Sequence, residues 1–485
     1  MQCNKYWFFS LTAILMANIF PSQLTAQRKA DQKPNIIIIV ADDLGWGDVG
    51  FHGSEIMTPN IDKLSKDGII LNHFYTAPVC SPSRAGLMTG RYPNRFGLRE
   101  TVIPPWSSFG VDTSEKFLPE LLKDVGYANR AILGKWHLGH AKPEYLPLNR
   151  GFTHFYGHYN GAIDYFTHER EGELDWHNDW NTSFDKGYST DLISDEAVNC
   201  VNNYSKQSSP FLLYLAYNAP HAPLEAKEED LLLYGYDKSK PSFGKNKAGK
   251  VDNDESKGRG NTARQTYAAM VTCMDRGIGR ILDQLKDLKI DNNTIVLFIS
   301  DNGAAPGEGG SSGILRGHKF QEWDGGVRAP AIIKWPKMLK GGIKTNQVMG
   351  YIDVVPTLLS IIGVKDIQHK PFDGLNMFPV LNGQQKEIKR DLYLGYGSLV
   401  NNQFKIVKAN SGNPAMKQKE DQLFDIIKDP SEKNNIRATH NSVYQQLLKT
   451  IAPYDAIKSE SAVPPYGKGR NGFKAPKNWV ITQDD

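Results

Sequence analysis

The stretch from Asn35 to Asp43, "NIIIIVADD", sets the tightest limit on what this chain can fold into. Six consecutive apolar residues follow Pro34 and Asn35 and stop at two aspartates, with none of the polar alternation of a strand that has one wet face. A run of this kind reads as a strand buried on both faces, as in a parallel sheet with helices on either side. Similar runs recur at "PFLLYLAYN", "NTIVLFISDN" and "APAIIKWP", with helical patterns between them at "NIDKLSKDGI", "FLPELLKDVG" and "MDRGIGRILDQLKDL". The alternation predicts an α/β fold, a mostly parallel sheet flanked by helices. A chain of 485 residues, 40% of them apolar, has ample material for one large core and a smaller companion.

From about Asp366 the segments shorten and alternate, as in "RDLYLGYG" and "NQFKIVKAN". They predict a C-terminal α+β subdomain over 366–485 with an antiparallel sheet and a late helix, after a catalytic domain over 35–365. The Lys227–Gly260 stretch reads as a charged surface loop or insertion. At the other end, Lys5, the run "YWFFSLTAILMANIF" and "LTA" before Gln27 have the layout of a secretory signal over 1–26, with 27–34 as a linker. The run is about 15 residues against the ~20 of a membrane span, so the expectation is export, to periplasm or medium, without stable membrane insertion. Without Lys5, 56 basic residues face 53 acidic ones, and a net charge of +3 gives no ground for a nucleic-acid partner. Three cysteines remain, Cys80, Cys200 and Cys273. Cys200 and Cys273 could pair, and the odd thiol then needs a reason.

Ligands of open α/β sheets sit outside the carboxyl ends of the strands, which directs attention to the residues that follow each apolar run. Asp42 and Asp43 end the first, and Asp301 and Asn302 end "TIVLFIS". Three carboxylates and an amide oxygen converging at one edge call for a hard cation, Ca²⁺ or Mg²⁺ rather than zinc. In "GKWHLG", an extended backbone puts Lys135 and His137 on one face. His221 follows another strand between Pro220 and Pro223, and Lys319 stands in "LRGHKFQEWDGGVRAP". Cationic donors beside a metal define an anion site. Cys80, with Ser81 as a candidate N-cap and Pro82 in the first turn, stands at a helix N-terminus that favours negative charge. Those facts alone fit an activated thiolate, a free thiol or a disulfide.

The run Cys80, Ser81, Pro82, Ser83, Arg84, continuing "AGLMTGRYP", resembles the type I sulfatase signature Cys-x-Pro-Ser-Arg, whose cysteine is converted to formylglycine, or 3-oxoalanine. The likeness spans nearly the whole chain after residue 26, through "PNIIIIVADDLGWGDVGFHG", "GKWHLG", "LAYNAPHAPLE", "FISDNG", "LRGHKFQEWDGGVRAP" and "LFDIIKDPSEKNN". Within that family it is most similar to enzymes of the N-acetylgalactosamine-4-sulfatase type. The resemblance implies an alkaline-phosphatase-like α/β domain and one Ca²⁺, with Mg²⁺ possible, held by Asp42, Asp43, Asp301, Asn302 and residue 80. It further implies that Arg84 fixes the formylglycine, Lys135 and Lys319 bind sulfate oxygens, and His137 and His221 move protons. His168, Glu169 and Arg170 resemble a sugar-reading "HER" stretch, and Arg316 is a further substrate candidate.

The expected activity is sulfate-ester hydrolysis on a sulfated glycan, of the galactose or galactosamine 4-sulfate type. The expected partner in maturation is a formylglycine-generating or an anaerobic sulfatase-maturating enzyme. Two rival readings are a phosphonate monoester or phosphodiester hydrolase on the same scaffold, and a non-catalytic glycan- or calcium-binding protein in which Cys80 stays a thiol. Oligomeric state is not legible.

Overall fold

The computed structural model describes residues 32–99, 101–243, 258–364 and 368–482. The expected signal peptide, residues 27–31 of the linker, the centre of the Lys227–Gly260 loop and the boundary at 365/366 lie outside the described residues. Among the described residues no helix is long and apolar enough to cross a membrane.

Ten strands form the main sheet: β1 (Asn35–Ala41), β2 (Ile69–Leu71), β3 (Asn129–Lys135), β4 (His154–His158), β5 (His177–Asn178), β6 (Asn181–Thr182), β7 (Phe211–Ala216), β8 (Thr294–Ser300), β9 (Ala331–Lys334) and β10 (Ile343–Thr345). Their order across the sheet is β10-β2-β9-β8-β1-β7-β3-β4-β5-β6. The five central strands from β8 to β4 run parallel. Strand β9, the "APAIIKWP" run, is antiparallel to β8, which makes the sheet mixed at its flanks.

Strand β1 sits in the middle, and its side chains divide between two cores. Ile36, Ile38 and Val40 enter one, while Ile37, Ile39 and Ala41 enter the other. That is why the strand has no polar alternation, since each buried aliphatic side chain stabilises the fold by about 1.5–3 kcal/mol whichever face it leaves from. Helices α1 (Pro59–Asp67), α3 (Ser189–Tyr204) and α4 (Ala263–Asp287) cover the second core. Helix α2 (Cys80–Thr89) covers the first.

Four further strands, β11 (Asp391–Gly395), β12 (Ser398–Asn401), β13 (Phe404–Val407) and β14 (Gln422–Asp425), form an all-antiparallel sheet. Helix α5 (Asn441–Asp455) packs on it through Tyr444, Leu447 and Ile451. These residues, with Leu392, Leu399 and Ile406, join the first core, so the small sheet extends the main core. The fold is α/β with a mostly parallel central sheet and a separate antiparallel one, as the sequence led us to expect.

Candidate active site

Because β1 and β8 are parallel neighbours, Asp42 and Asp43 leave the sheet beside Asp301 and Asn302. Asn302 Nδ2 donates to Asp43 Oδ1 at 2.7 Å, and the Asp43 amide donates to Asp301 Oδ1 at 3.2 Å. Cations close the group from three sides. Arg84 Nε donates to Asp301 Oδ2 at 2.9 Å, Lys135 Nζ to Asp42 Oδ2 at 2.6 Å, and Lys319 Nζ to Asp43 Oδ2 at 2.6 Å. Three basic side chains thus already offset three carboxylates, so charge balance alone does not demand a metal. Two open acceptors call for one instead. Asp42 Oδ1 and Asn302 Oδ1 are buried and accept no hydrogen bond, although Arg84 Nη2 lies 3.7 Å from the former. Unpaired buried oxygens of this kind are costly unless a cation or water takes them, and an all-oxygen donor set fits Ca²⁺ or Mg²⁺.

Helix α2 begins at Cys80 itself, with Val79 as its cap residue, two positions earlier than a Ser81 cap would give. Ser81 Oγ is occupied in accepting the Ile103 amide at 3.2 Å. Gly86 lets the helix approach closely, because a Cβ there would meet the Tyr351 ring at 2.1 Å. The thiol is 2% exposed, and burial, only partly countered by Lys135 and Lys319, pushes it up to about 12. Desolvation therefore outweighs the two lysines at this thiol. One ligand atom each from Asp42, Asp43, Cys80 and His221 lie within 4.8 Å of one another.

Cys80 opens into a cavity of about 600 Å³ lined by His137, His221, Lys319 and Phe320 among others. His137 Nε2 donates to the Ile103 carbonyl at 3.1 Å, while Nδ1 is buried without a partner. Burial, reinforced by Lys135 and Arg84, holds this imidazole well below the usual histidine range. His221 Nε2 lies 3.6 Å from Asp43 Oδ2, and burial lowers the ring to about 4 despite that carboxylate. Burial would lower Lys319, but Asp43 overrides it and keeps the ammonium charged. Asp43, His137 and Phe320 all have positive φ, at 65°, 60° and 75°. Such backbone strain on non-glycine residues gathers where geometry serves a site.

Of the substrate candidates, Arg170 lines this cavity. His168 does not: it is buried, stacked on Trp176 at 4.5 Å, with Nε2 on the Gly187 carbonyl. Glu169 is exposed on a short strand, outside the cavity lining. Arg316 stacks over Trp323 at 3.7 Å and donates to Gln422 and to the Glu432 carbonyl, facing a different groove. Sequence reading missed Phe320, Glu308 and Tyr466 at the cavity. The φ of Phe320 has no sequence signal, and Tyr466 arrives from beyond α5 through tertiary packing alone. Cys200 and Cys273 are both free, so the disulfide they could have formed is absent.

A sheet edge that gathers oxygen ligands, fixed cations and unpartnered imidazole nitrogen around one pocket describes a hydrolase of anionic esters. The comparisons narrow this. The sulfatase family profile matches residues 34–364, and that of the N-sulphoglucosamine sulphohydrolase C-terminal region matches 318–455. N-acetylgalactosamine-6-sulfatase of Mus musculus is 35% identical over 74% of this chain and 68% of its own length. The Homo sapiens protein of that name is 34% identical over 73% of this chain and 66% of its own length. The chain therefore spans about two thirds of these curated relatives. The crystal structure of Ps i-CgsB in complex with k-i-k-neocarrahexaose superposes with a TM-score of 0.76 at 33% identity, covering 90% of this chain and 96% of that one. The chain belongs to the sulfatase family and is a sulfuric ester hydrolase. The two curated relatives carry 6-sulfatase names, so the 4-sulfate expectation draws no support from them.

Proposed function

We propose that this protein is an exported carbohydrate sulfatase that cleaves sulfate esters from galactose-configured units of a sulfated polysaccharide or its oligosaccharides. Residue 80 then works as formylglycine beside a Ca²⁺. The carrying observation is the placement of Cys80 at the floor of a cavity shared with His137, His221 and Lys319. The galactose preference is supported by the names of the relatives, and whether position 4 or 6 is cut is left to the test below.

Asp42, Asp43, Asp301 and Asn302 would hold the ion, and residue 80 would face it. When present, the ion supplies positive charge, and the hydrated aldehyde supplies a hydroxyl nucleophile whose partner hydroxyl allows sulfate to leave. The protein's own groups do the remainder. Arg84, its guanidinium fixed by Asp301, keeps a permanent charge beneath residue 80. Lys319 and Lys135 meet the sulfate oxygens, their ammonium groups aimed by Asp43 and Asp42. His221, beside Lys319, protonates the departing sugar oxygen, and the negative charge of a bound ester raises its basicity for that step. His137 holds its proton on Nε2 and so offers Nδ1 as the base. Phe320, 53% exposed, presents a ring face to the sugar.

Three measurements test the proposal. A peptide mass spectrum across residues 77–91 is expected to show conversion of Cys80 to the aldehyde, and Cys80→Ala is expected to abolish sulfate release while the fold persists. Desulfation of defined galactose 4- and 6-sulfated oligosaccharides is expected to favour one position. Near-normal release by the alanine variant sinks the mechanism, and turnover of glucosamine sulfates alone sinks the substrate class.

A further inference from the structure

A second gathering of metal-ligating side chains lies at the amino end of β4, the edge of the sheet opposite the catalytic cavity. His154 begins that strand, and Glu196 and Cys200 stand four residues apart on one face of α3. His154 Nε2 is 3.0 Å from Glu196 Oε1, and Cys200 Sγ is 3.6 Å from the same oxygen. All three ligand atoms fall within 4.8 Å of one another. These spacings resemble the edges of a coordination tetrahedron. With Zn–N and Zn–O near 2.1 Å and Zn–S near 2.3 Å, tetrahedral angles give N···O of about 3.4 Å and S···O of about 3.6 Å.

The surroundings point the same way. Asp179 Oδ1 lies 2.9 Å from His154 Nδ1 and also accepts the Phe155 amide at 2.9 Å. A carboxylate on one ring nitrogen fixes the imidazole and aims the other, the arrangement that supports metal-bound histidines. Cys200 is buried, whereas the His154 and Glu196 side chains are 18% and 28% exposed, which leaves an approach for an ion and a water. The donors are one nitrogen, one oxygen and one sulfur, a softer set than the oxygens at Asp42, Asp43, Asp301 and Asn302.

We propose that His154, Glu196 and Cys200 bind one zinc-class divalent cation, with water as the fourth ligand, clasping α3 to β4. Binding forms three metal–protein bonds and expels two protons to solvent, one from the thiol and one from the Nε2–Glu196 hydrogen bond. The site does not depend on conversion of Cys80 or on the glycan reading.

The full-length protein, stripped with chelator and then saturated with Ca²⁺, is titrated with Co²⁺, whose thiolate charge-transfer absorption reports a cysteine ligand. The expected result is a near-ultraviolet band that saturates at one equivalent, is displaced by Zn²⁺ and persists in Cys80→Ala. Cys200→Ser and His154→Gln each abolish it, so the pair of variants serves even where one folds poorly. Asp179→Asn keeps the band while weakening Co²⁺ binding about 10–100-fold. A wild-type protein without the band overturns the proposal and leaves His154–Glu196 an ion pair only. So does a band that survives Cys200→Ser or vanishes in Cys80→Ala.

Discussion

His137 donates Nε2–H to the Ile103 carbonyl at 3.1 Å, which decides which of its nitrogens can act as a base. Truncation to alanine removes Nδ1 without touching Lys135 or Lys319. We therefore expect kcat to fall about 10²–10⁴-fold with KM little changed. Since burial holds the ring below the usual range, the loss should be similar at pH 6 and pH 8. A His137→Ala enzyme whose defect lies mainly in KM counts against the role. Glu322 shows a different kind of residue-scale effect. It is 1% exposed, accepts Asn413 Nδ2 at 2.8 Å, and burial pushes it up to about 7 from 4.5. Its folded form keeps a proton that the unfolded chain releases above 4.5, so its contribution is full below that pH and is lost as pH rises through 7. Glu322→Gln is expected to gain stability over wild type between pH 5 and pH 8, on the order of 2–3 kcal/mol. Denaturant midpoints at the two pH values check this, and a pH-independent difference refutes it.

At the scale of elements, the segment from Arg316 to Arg328 is the hinge between site and small sheet. Lys319 and Phe320 face the cavity, while Asp324 is buried against Lys405 of β13 at 2.7 Å. Lys405 also meets Glu432 Oε1 at 2.8 Å, and Glu432 Oε2 accepts the Asp324 amide at 2.7 Å. All three charged side chains are fully buried, so removing the cation leaves Glu432 without a counter-charge and Asp324 with Arg328 alone, whose Nη1 is 3.3 Å from Oδ2. Lys405→Met is expected to cost about 3–5 kcal/mol. Because the same segment carries Lys319, kcat/KM should fall as well, and the double variant Lys405→Met, Asp324→Leu should recover part of the stability. Unchanged unfolding of the single variant contradicts this. The segment also shows what a sequence can disclose. Lys319 stood out as a cation within "LRGHKFQEWDGGVRAP", but Lys405 pairs with Asp324 across 81 residues, and that partnership exists only once two sheets meet. Helix α3 was not singled out, although its buried residues Ile193, Ala197 and Val201 stand at helical spacing. Strand β4, "HFYGH", is buried yet carries no aliphatic residue.

For the molecule as a whole, the central strands were legible because uninterrupted apolar runs have one good explanation, and their ends then located the aspartates. Arg316 and His168, read as substrate candidates, lie outside the lining of the Cys80 cavity, since nearness in sequence to a site residue says nothing about which way a side chain leaves the backbone. The electrostatic need for a cation was overstated as well, because the sequence did not show that Arg84, Lys135 and Lys319 already pair the carboxylates. What is left is a specific demand from Asp42 Oδ1 and Asn302 Oδ1 at the junction of β1 and β8, the centre of the main sheet. An ion taken up there binds the folded chain and not the unfolded one, so it must stabilise the entire molecule. Ca²⁺ at 1,000 times its dissociation constant is expected to add about 4 kcal/mol and raise Tm, with EGTA reversing the shift. Asn302→Ala should shrink the Ca²⁺-dependent shift in the Cys80→Ala background too, which separates ion binding from turnover. Should Tm be indifferent to both Ca²⁺ and Mg²⁺, the two oxygens must be served by water, and the sheet edge would work with the fixed charges of Arg84, Lys135 and Lys319 alone.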